Sequence, residues 1–186
     1  LWLVHHFLPL IFQKSLLLQS SKSFIDTILK INDTPLEEQF VSDSNLHIEQ
    51  KSYPLELAIC NNCGYVHLPY IINPEESYVD YLYNSGVTPG LRSHYDRYAK
   101  KIVKKYNIKK KSLIVDLGSN DGSMLSSFKR EKMIVVGVEP AKLISEHANK
   151  SGVETINDFF TDEVVLKILN SYGKADVISA NYMFAN

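Results

Sequence analysis

The strongest constraint on the fold is a regular alternation of short apolar segments and helical patterns after residue 112. The patterns of buried strands cover Leu113–Leu117, Met133–Val138, Val153–Ile156 and Asp176–Ala180. The stretches between them have the apolar spacing and the end signals of helices. Strands that alternate with helices of this length are joined by right-handed crossovers, which builds a parallel, doubly wound sheet. The sequence therefore predicts an α/β fold with a Rossmann-like core in residues 112–186.

The residues before this core fall into three segments. Residues 1–23 form an atypical stretch, rich in Leu and Ser and without a clean period. Residues 24–75 contain short strand-like pieces separated by turn residues: Phe40-Val41, Leu55–Ile59 and Tyr65–Leu68. Residues 76–111 have a helical pattern, which predicts a helical linker. Its apolar face comprises Tyr95, Tyr98, Ile102, Val103 and Tyr106, and lysines fill the opposite face.

Composition and charge exclude several classes of protein. The 186 residues carry 20 basic and 21 acidic side chains, a formal net charge of −1, which argues against nucleic acid or an anionic membrane as partner. Two cysteines cannot build a disulfide scaffold. The longest apolar stretch, Leu1–Phe12, is shorter than the roughly 20 residues of a membrane-spanning helix and has no basic signal-peptide region. We therefore expect a soluble, cytoplasmic protein.

Both ends of the chain are unusual. Residue 1 is leucine, and the chain stops soon after a strand, Asp176–Ala180, that reads as central in the sheet. In a parallel sheet both faces are covered by other elements, and the edge strands are protected from pairing with other chains. The expectation is therefore a fragment with an incomplete sheet, and the alternative is a naturally short chain with an apolar N-terminal helix.

A nucleoside site is expected at the carboxyl ends of the first two strands of the sheet. Asp116–Gly122 and Glu139 fall on that rim. Gly118 and Gly122 let the backbone pass close to a ligand, and Asn120 tolerates the left-handed conformation. Glu139 follows the loop by about 20 residues, where a carboxylate can accept both ribose hydroxyls and disfavours a 2′-phosphate.

The loop chemistry selects among nucleosides. A dinucleotide fingerprint would need glycines where Asn120 and Ser123 stand, and the lysine of a P-loop is absent. Asp121 would repel a pyrophosphate at the following helix N-terminus. Together, Asp116 and Asp121 favour S-adenosylmethionine, which has a sulfonium and an ammonium group and no phosphate. The alternative is that Asp121 only caps a helix and that Glu139 is a surface residue.

Several motifs carry a resemblance to a known family. They are Thr34-Pro35-Leu36, Cys60-x-x-Cys63-Gly64, Asp80-Tyr81-x-Tyr83-x-Ser85-Gly86, His94, Asp116-Leu117-Gly118-Ser119-Asn120-Asp121-Gly122, Gly137-Val138-Glu139-Pro140-Ala141, Phe159-Phe160 and Ala175-Asp176-Val177-Ile178-x-Ala180-Asn181. With them the chain resembles, over roughly residues 24–186, the S-adenosylmethionine-dependent sugar C-methyltransferases with an N-terminal zinc-binding domain. That family has a class I methyltransferase core and methylates carbon 3 of nucleotide-linked 4-keto-deoxysugars.

The resemblance implies roles for particular residues. It adds Pro140 to the cofactor site and places Tyr81, Tyr83 and Ser85 at the sugar-nucleotide pocket. The implied reaction removes the proton next to the ketone and methylates the resulting enolate. His94 is a candidate base, a group after residue 186 is the alternative, and Asn181 is expected to border the sulfonium and the substrate. The alternative for Tyr81 and Tyr83 is that they only pack the linker.

The chain also departs from the family. The family's second Cys-x-x-Cys pair would fall on Leu18 and Ser21, and its histidine after the fourth strand would fall on Asn186. Cys60 and Cys63 are then half of a structural zinc site, which takes four ligands. His67 is a further candidate ligand, with a strand position as the alternative. The family continues for about as many residues again, which complete the sheet and add a C-terminal Rossmann-like domain, and catalytic groups are expected in these parts.

Two other functions are compatible with the sequence. One is a class I methyltransferase for a non-sugar small molecule, and the other is a non-catalytic remnant that binds partners through the Cys-x-x-Cys module. The favoured function is C-methylation of a nucleotide-linked sugar, with a small-molecule partner, no nucleic acid and no membrane. The sequence leaves the oligomeric state open.

Overall fold

The computed structural model describes residues 24–37 and 40–183. Two compact units make up the chain, Leu1–Asn73 and Pro74–Asn186. None of the helices in the described part of the chain has the length and apolar character needed to cross a membrane.

The first unit contains a three-stranded antiparallel sheet. Its strands are β1 (Ile25–Thr34), β2 (Tyr53–Cys60) and β3 (Val66–His67), in the order β1-β2-β3. The sequence predicted the second and third strands approximately but missed β1, because a register shift between Thr27 and Leu29 breaks its alternation. The predicted strand at Phe40-Val41 is wrong: these two residues lie outside any strand, in the irregular connection between β1 and β2.

The second unit begins with two helices, α1 (Pro74–Tyr78) and α2 (Leu91–Lys105). The sequence prediction of helix across residues 76–111 is therefore too broad. Gly90 precedes α2 with a φ of 79°, and residues 79–90 form only a single 3-10 turn. The predicted apolar face of α2 does pack on the core, except that Tyr106 follows the helix and is 62% exposed.

A parallel four-stranded sheet follows α2. Its strands are β4 (Leu113–Leu117), β5 (Ile134–Val138), β6 (Thr155–Ile156) and β7 (Val177–Ala180), in the order β6-β5-β4-β7. The chain runs outward from β4 to β6 and then returns to place β7 on the other side of β4. This reversal creates the switch point at which such sheets bind ligands. The predicted α/β, Rossmann-like fold class is confirmed.

Three helices connect these strands: α3 (Ser123–Arg130), α4 (Lys142–Lys150) and α5 (Asp162–Tyr172). Thr161 caps α5 as its residue type predicts, since its side chain accepts a hydrogen bond from the Val164 N–H. Proline is typical of the first turn of a helix, but Pro140 lies just before α4, whose N-cap is Ala141.

Apolar side chains bury both faces of the parallel sheet. One cluster includes Ile114, Leu125 and Phe128, and the cluster on the other face includes Val115 and Val136. Successive residues of a strand point to opposite faces, so β4 contributes to both clusters. Burial on both faces explains the nearly continuous apolar strands of the sequence. This packing also fixes the positions of the carboxyl ends of the strands, which carry the polar residues of the expected nucleoside site.

Candidate functional site

A cavity of about 690 Å³ opens in the second unit at the carboxyl ends of the parallel strands. Its volume lies in the range of small-molecule sites. Six of the seven residues predicted to bind a cofactor line it: Asp116, Gly118, Asn120, Asp121, Glu139 and Pro140. The structure therefore brings these side chains to one space, together with Tyr81, Tyr83, Ser85 and Asn181.

The loop after β4 folds over the end of β5. The N–H groups of Gly118 and Ser119 both donate to the Val138 carbonyl oxygen, at 2.9 and 3.1 Å. Gly137 makes room for this approach, because a Cβ on it would overlap the Ser119 Oγ. The Ser119 Oγ is buried and has no hydrogen-bond partner among the described residues. Gly118 has a φ of 67°, and because it has no side chain its backbone forms part of the cavity wall.

Asp116 ends the central strand as a buried acid, 4% exposed. The Ser179 hydroxyl, from β7, donates to its Oδ1 at 2.7 Å. Burial raises the pKa of Asp116 to about 7, the Ser179 hydrogen bond opposes this shift, and the nearby Glu139 charge adds to it. No local pattern in the sequence predicted Ser179 as a site residue, because its position follows from the pairing of β7 with β4.

Glu139 is a buried wall of the cavity and is not a surface residue. Its Oε2 accepts the Asn120 N–H and its Oε1 accepts the Ala141 N–H, each at 2.9 Å. Burial raises its pKa, and these two bonds oppose the shift. The side-chain amide of Asn157 donates to the Glu139 and Pro140 carbonyl oxygens and holds this turn in place. Each carboxylate oxygen keeps a lone pair that can accept a ligand hydroxyl.

Asp121 caps the start of α3 and also lines the cavity. Its Oδ1 accepts the Ser123 N–H at 3.0 Å, and its Oδ2 accepts the Ser123 hydroxyl at 2.7 Å. Gly122, the seventh predicted cofactor residue, is the N-cap of α3 with a φ of 73° and is not among the residues that line the cavity. A Cβ on Gly122 would lie 2.8 Å from Val153, so this glycine allows the helix to pack on the sheet.

Asn120 joins the loop after β4 to the segment before α2. It has a φ of 50°, a left-handed conformation that its residue type tolerates. Its Oδ1 accepts the Ser85 N–H, and its Nδ2 donates to the Tyr83 carbonyl oxygen, each at 2.8 Å. The Tyr83 hydroxyl in turn contacts the Thr88 Oγ1 at 2.7 Å. These bonds hold residues 83–88 at the cavity.

Tyr95 lines the same cavity from α2, although the sequence did not predict it as a site residue. Burial raises the pKa of Tyr95, a hydrogen bond with the Ser85 side chain opposes this shift, and the charge of Asp116 adds to it. The apolar spacing of α2 predicted a core position for Tyr95. No local signal separates a tyrosine that packs from one that also reaches a cavity.

The two candidate catalytic residues differ in position. His94 lies one residue before Tyr95 on α2, about 100° around the helix. Its ring is exposed, stacks on Tyr98 with a centroid distance of 6.4 Å, and is not among the residues that line the cavity. The structure therefore does not bring His94 to the site. Asn181 follows β7, lines the cavity and donates from its Nδ2 to the Met124 Sδ at 3.3 Å.

Cys60 and Cys63 lie at the end of β2 and in the turn that follows it. The Gly64 N–H donates to the Cys60 carbonyl oxygen at 2.7 Å and closes this turn. Hydrogen bonds from the Asn62 and Cys63 backbones lower the pKa of the Cys60 thiol. His67 occupies a strand position in β3, as the alternative prediction had it.

No group of three or more His, Cys, Asp or Glu side chains in residues 24–37 and 40–183 is arranged to hold a metal ion. The other positions compared with the family, Leu18, Ser21 and Asn186, lie outside the described residues.

Comparison with known proteins gives matches along most of the chain. Residues 20–78 match a family model described as "Putative zinc binding domain". The C-methyltransferase NovU of Streptomyces niveus is 28% identical over 159 residues, which are 86% of this chain and 38% of NovU. The resemblance to the C-methyltransferase family is confirmed. The chain spans less than half the length of this relative.

Solved methyltransferase structures also match. The magnesium protoporphyrin IX methyltransferase of Synechocystis PCC 6803, solved with bound SAM, is 15% identical with a TM-score of 0.37, over 49% of this chain and 44% of that one. The plantazolicin methyltransferase BpumL, solved with SAH, is 22% identical with a TM-score of 0.34, over 52% and 43%. The assignment of the fold rests on the strand order and the parallel pairing of the chain itself.

Proposed function

We propose that this chain binds S-adenosylmethionine and acts in the C-methylation of a nucleotide-linked 4-keto-deoxysugar. The observation that carries the proposal is the set of three buried carboxylates, Asp116, Asp121 and Glu139, at one cavity beside the switch point of the sheet. Within residues 24–37 and 40–183 none of these three carboxylates is in an ion pair, and a buried carboxylate favours a ligand that brings positive charge.

The residues at the cavity fit the parts of this cofactor. The free lone pairs of the Glu139 carboxylate suit the two ribose hydroxyls. Asp116 and Asp121 suit the ammonium and sulfonium charges. The backbone of Gly118, which has no side chain to cover it, offers a further polar contact at the wall. When bound, the cofactor supplies an electrophilic methyl group.

The same cavity disfavours a dinucleotide. A pyrophosphate binds where a helix N-terminus offers free N–H groups and positive potential. At the start of α3 the Asp121 carboxylate already accepts the Ser123 N–H and places a negative charge there. A phosphate at this position would meet like charge.

The tyrosine side of the cavity is our candidate substrate site. Tyr81, Tyr83, Ser85 and Tyr95 offer hydroxyl groups and ring surface there. The phenol of Tyr95 can donate a hydrogen bond to a substrate oxygen, and burial, which raises its pKa, favours this protonated form further. We propose that these hydroxyls hold the sugar and stabilise the enolate oxygen, and that Asn181 borders the reacting methyl group. Since His94 lies away from the cavity, we do not assign it the role of base.

Calorimetric titration of the chain with S-adenosylmethionine, S-adenosylhomocysteine and NAD⁺ tests the cofactor part of the proposal. We expect saturable one-to-one binding of the first two ligands and none of NAD⁺. Binding of NAD⁺ in preference to the other two would refute it. Absence of binding by all three would favour the non-catalytic remnant.

A product screen tests the substrate class. The chain is incubated with methyl-labelled S-adenosylmethionine and with 4-ketohexose nucleotides, their 4-hydroxy counterparts as controls, or a panel of non-sugar small molecules. We expect label on carbon only with the 4-keto compounds, because only these acidify the neighbouring C–H. Label on a non-sugar acceptor instead would move the chain to another class I methyltransferase activity.

For the first unit, we propose that residues 24–75 form a zinc-binding-type domain, with residues 76–111 as linker and substrate segment before the core at 112–186. The match of residues 20–78 to the zinc-binding family supports this. Cys60 and Cys63 form only a half-site in this domain, with two of the four ligands that a structural zinc takes.

A further inference from the structure

Asn120 contacts both sides of the cavity at once. Its backbone N–H donates to the Glu139 Oε2 on the candidate cofactor side. Its side chain bonds to the backbone of Tyr83 and Ser85 on the candidate substrate side. Its side-chain oxygen and nitrogen both form hydrogen bonds there. The part of Asn120 that contacts the cofactor side, where the sequence predicted a role for this residue, is therefore its backbone.

The geometry restricts this position to few residue types. With a φ of 50°, Asn120 turns its N–H to Glu139 while its side chain reaches a segment 35 to 37 residues away in sequence. Glycine, asparagine and aspartate adopt this conformation at low cost. Among them, only asparagine offers a donor and an acceptor together.

The segment held by Asn120 has little regular structure of its own. Between α1 and α2 it contains one 3-10 turn, Ser85–Val87. Gly86 within that turn approaches the cofactor loop so closely that a Cβ would lie 2.6 Å from the Asp121 Oδ2. Hydrogen bonds to Asn120 are therefore a principal restraint on where Tyr83 and Ser85 sit relative to the loop.

We propose that Asn120 is a positioning residue that couples the cofactor pocket to the substrate segment. This inference rests on the proposed function. A ligand that bonds to the Glu139 carboxylate fixes the oxygen that holds the Asn120 N–H. Asn120 then holds Ser85 and Tyr83 more tightly, so the substrate site is ordered before the substrate arrives. Ordering by a first ligand lowers the entropy cost of the second, and the coupling is reciprocal.

Hydrogen–deuterium exchange of the full chain, with and without S-adenosylhomocysteine, tests the coupling. In the wild-type chain we expect this ligand to slow exchange of the amides of residues 83–88 about tenfold, within the usual range of coupling between sites. Asn120→Gly keeps the left-handed backbone and the bond to Glu139 but removes both side-chain bonds. We expect fast exchange of residues 83–88 in this variant with or without ligand. Because the coupling is reciprocal, we expect the Kd of the ligand to rise by no more than about tenfold.

Asn107→Gly is the matched control. Asn107 also has a φ of 50°, but it is exposed in the connection between α2 and β4 and does not line the cavity. We expect this variant to show the wild-type exchange pattern. Asn120→Asp keeps the acceptor for the Ser85 N–H and loses the donor to Tyr83, so we expect partial protection that is strongest at Ser85.

The outcomes separate the coupling from the proposed function. If Asn120→Gly retains ligand-dependent protection of residues 83–88, Asn120 does not couple the sites. If it weakens ligand binding more than about tenfold, its side chain acts on the cofactor instead, and the inference is overturned. If wild-type chain fails to bind S-adenosylhomocysteine, the proposed function fails first and the coupling fails with it.

Discussion

Substitution of Glu139 by alanine is the most informative single change at this site. The side chain is 5% exposed and accepts two backbone N–H groups, from Asn120 and Ala141. Alanine removes both acceptors and the negative charge. Glu139→Gln keeps the volume of the side chain and one oxygen acceptor, but it removes the charge and replaces the second acceptor with an NH2 donor.

The structure gives the expected size of two separate effects. Each backbone N–H left buried without a partner destabilises the fold by about 1–3 kcal/mol, so Glu139→Ala should lower the free energy of unfolding measurably. Loss of charge-assisted hydrogen bonds to the ribose hydroxyls should weaken cofactor binding by about 1–3 kcal/mol, or about 5- to 150-fold in Kd. We expect Glu139→Gln to lie between the wild type and Glu139→Ala in both quantities.

The assay combines calorimetric titration of S-adenosylhomocysteine with a thermal melt of each variant, so that binding is compared only among folded proteins. Glu163→Ala is the control, because it removes an exposed carboxylate in the first turn of α5, away from the cavity. Its Kd should match that of the wild type. If Glu139→Ala melts cooperatively and binds the ligand within about twofold of the wild type, the ribose does not lie at Glu139.

Four further predictions rest on the described contacts and on the cysteine count. Because burial raises the pKa of Asp116 to about 7, the folded chain holds more protons than the unfolded chain between about pH 4 and 7, so its free energy of unfolding should fall as pH rises through that window. The affinity for S-adenosylmethionine, relative to S-adenosylhomocysteine, should rise between about pH 6 and 8 as Asp116 ionises, and calorimetry at each pH should show no such rise in Asp116→Asn. Gly137→Ala should destabilise the fold by about 1–3 kcal/mol in chemical denaturation, because its Cβ would overlap the Ser119 Oγ, and added Ser119→Gly should restore part of the loss. Elemental analysis should find less than one tightly held zinc per chain, since Cys60 and Cys63 supply two ligands of four, and a full equivalent of zinc would contradict this.

The sequence predicted the parallel sheet well because its strands are buried on both faces. The bounds expected for β4, Leu113–Leu117, are those observed, and β5 differs by one residue. Prediction failed where local pattern was a poor guide to packing. The bulge near Thr27 hid β1, and helical spacing before α2 gave no sign that residues 79–90 would stay irregular.

The sequence alone determined which groups meet at the ends of the central strands. Asp116 and Glu139 follow adjacent parallel strands, and the ends of such strands share one edge, so their proximity follows from local pattern. Tertiary structure decided the rest. Asn120 bonds to Tyr83 across 37 residues, and Tyr95 reaches the cavity while His94 does not. These contacts depend on how α2 and an irregular segment pack against the loop, and neither hydrophobic period nor residue type specifies that packing.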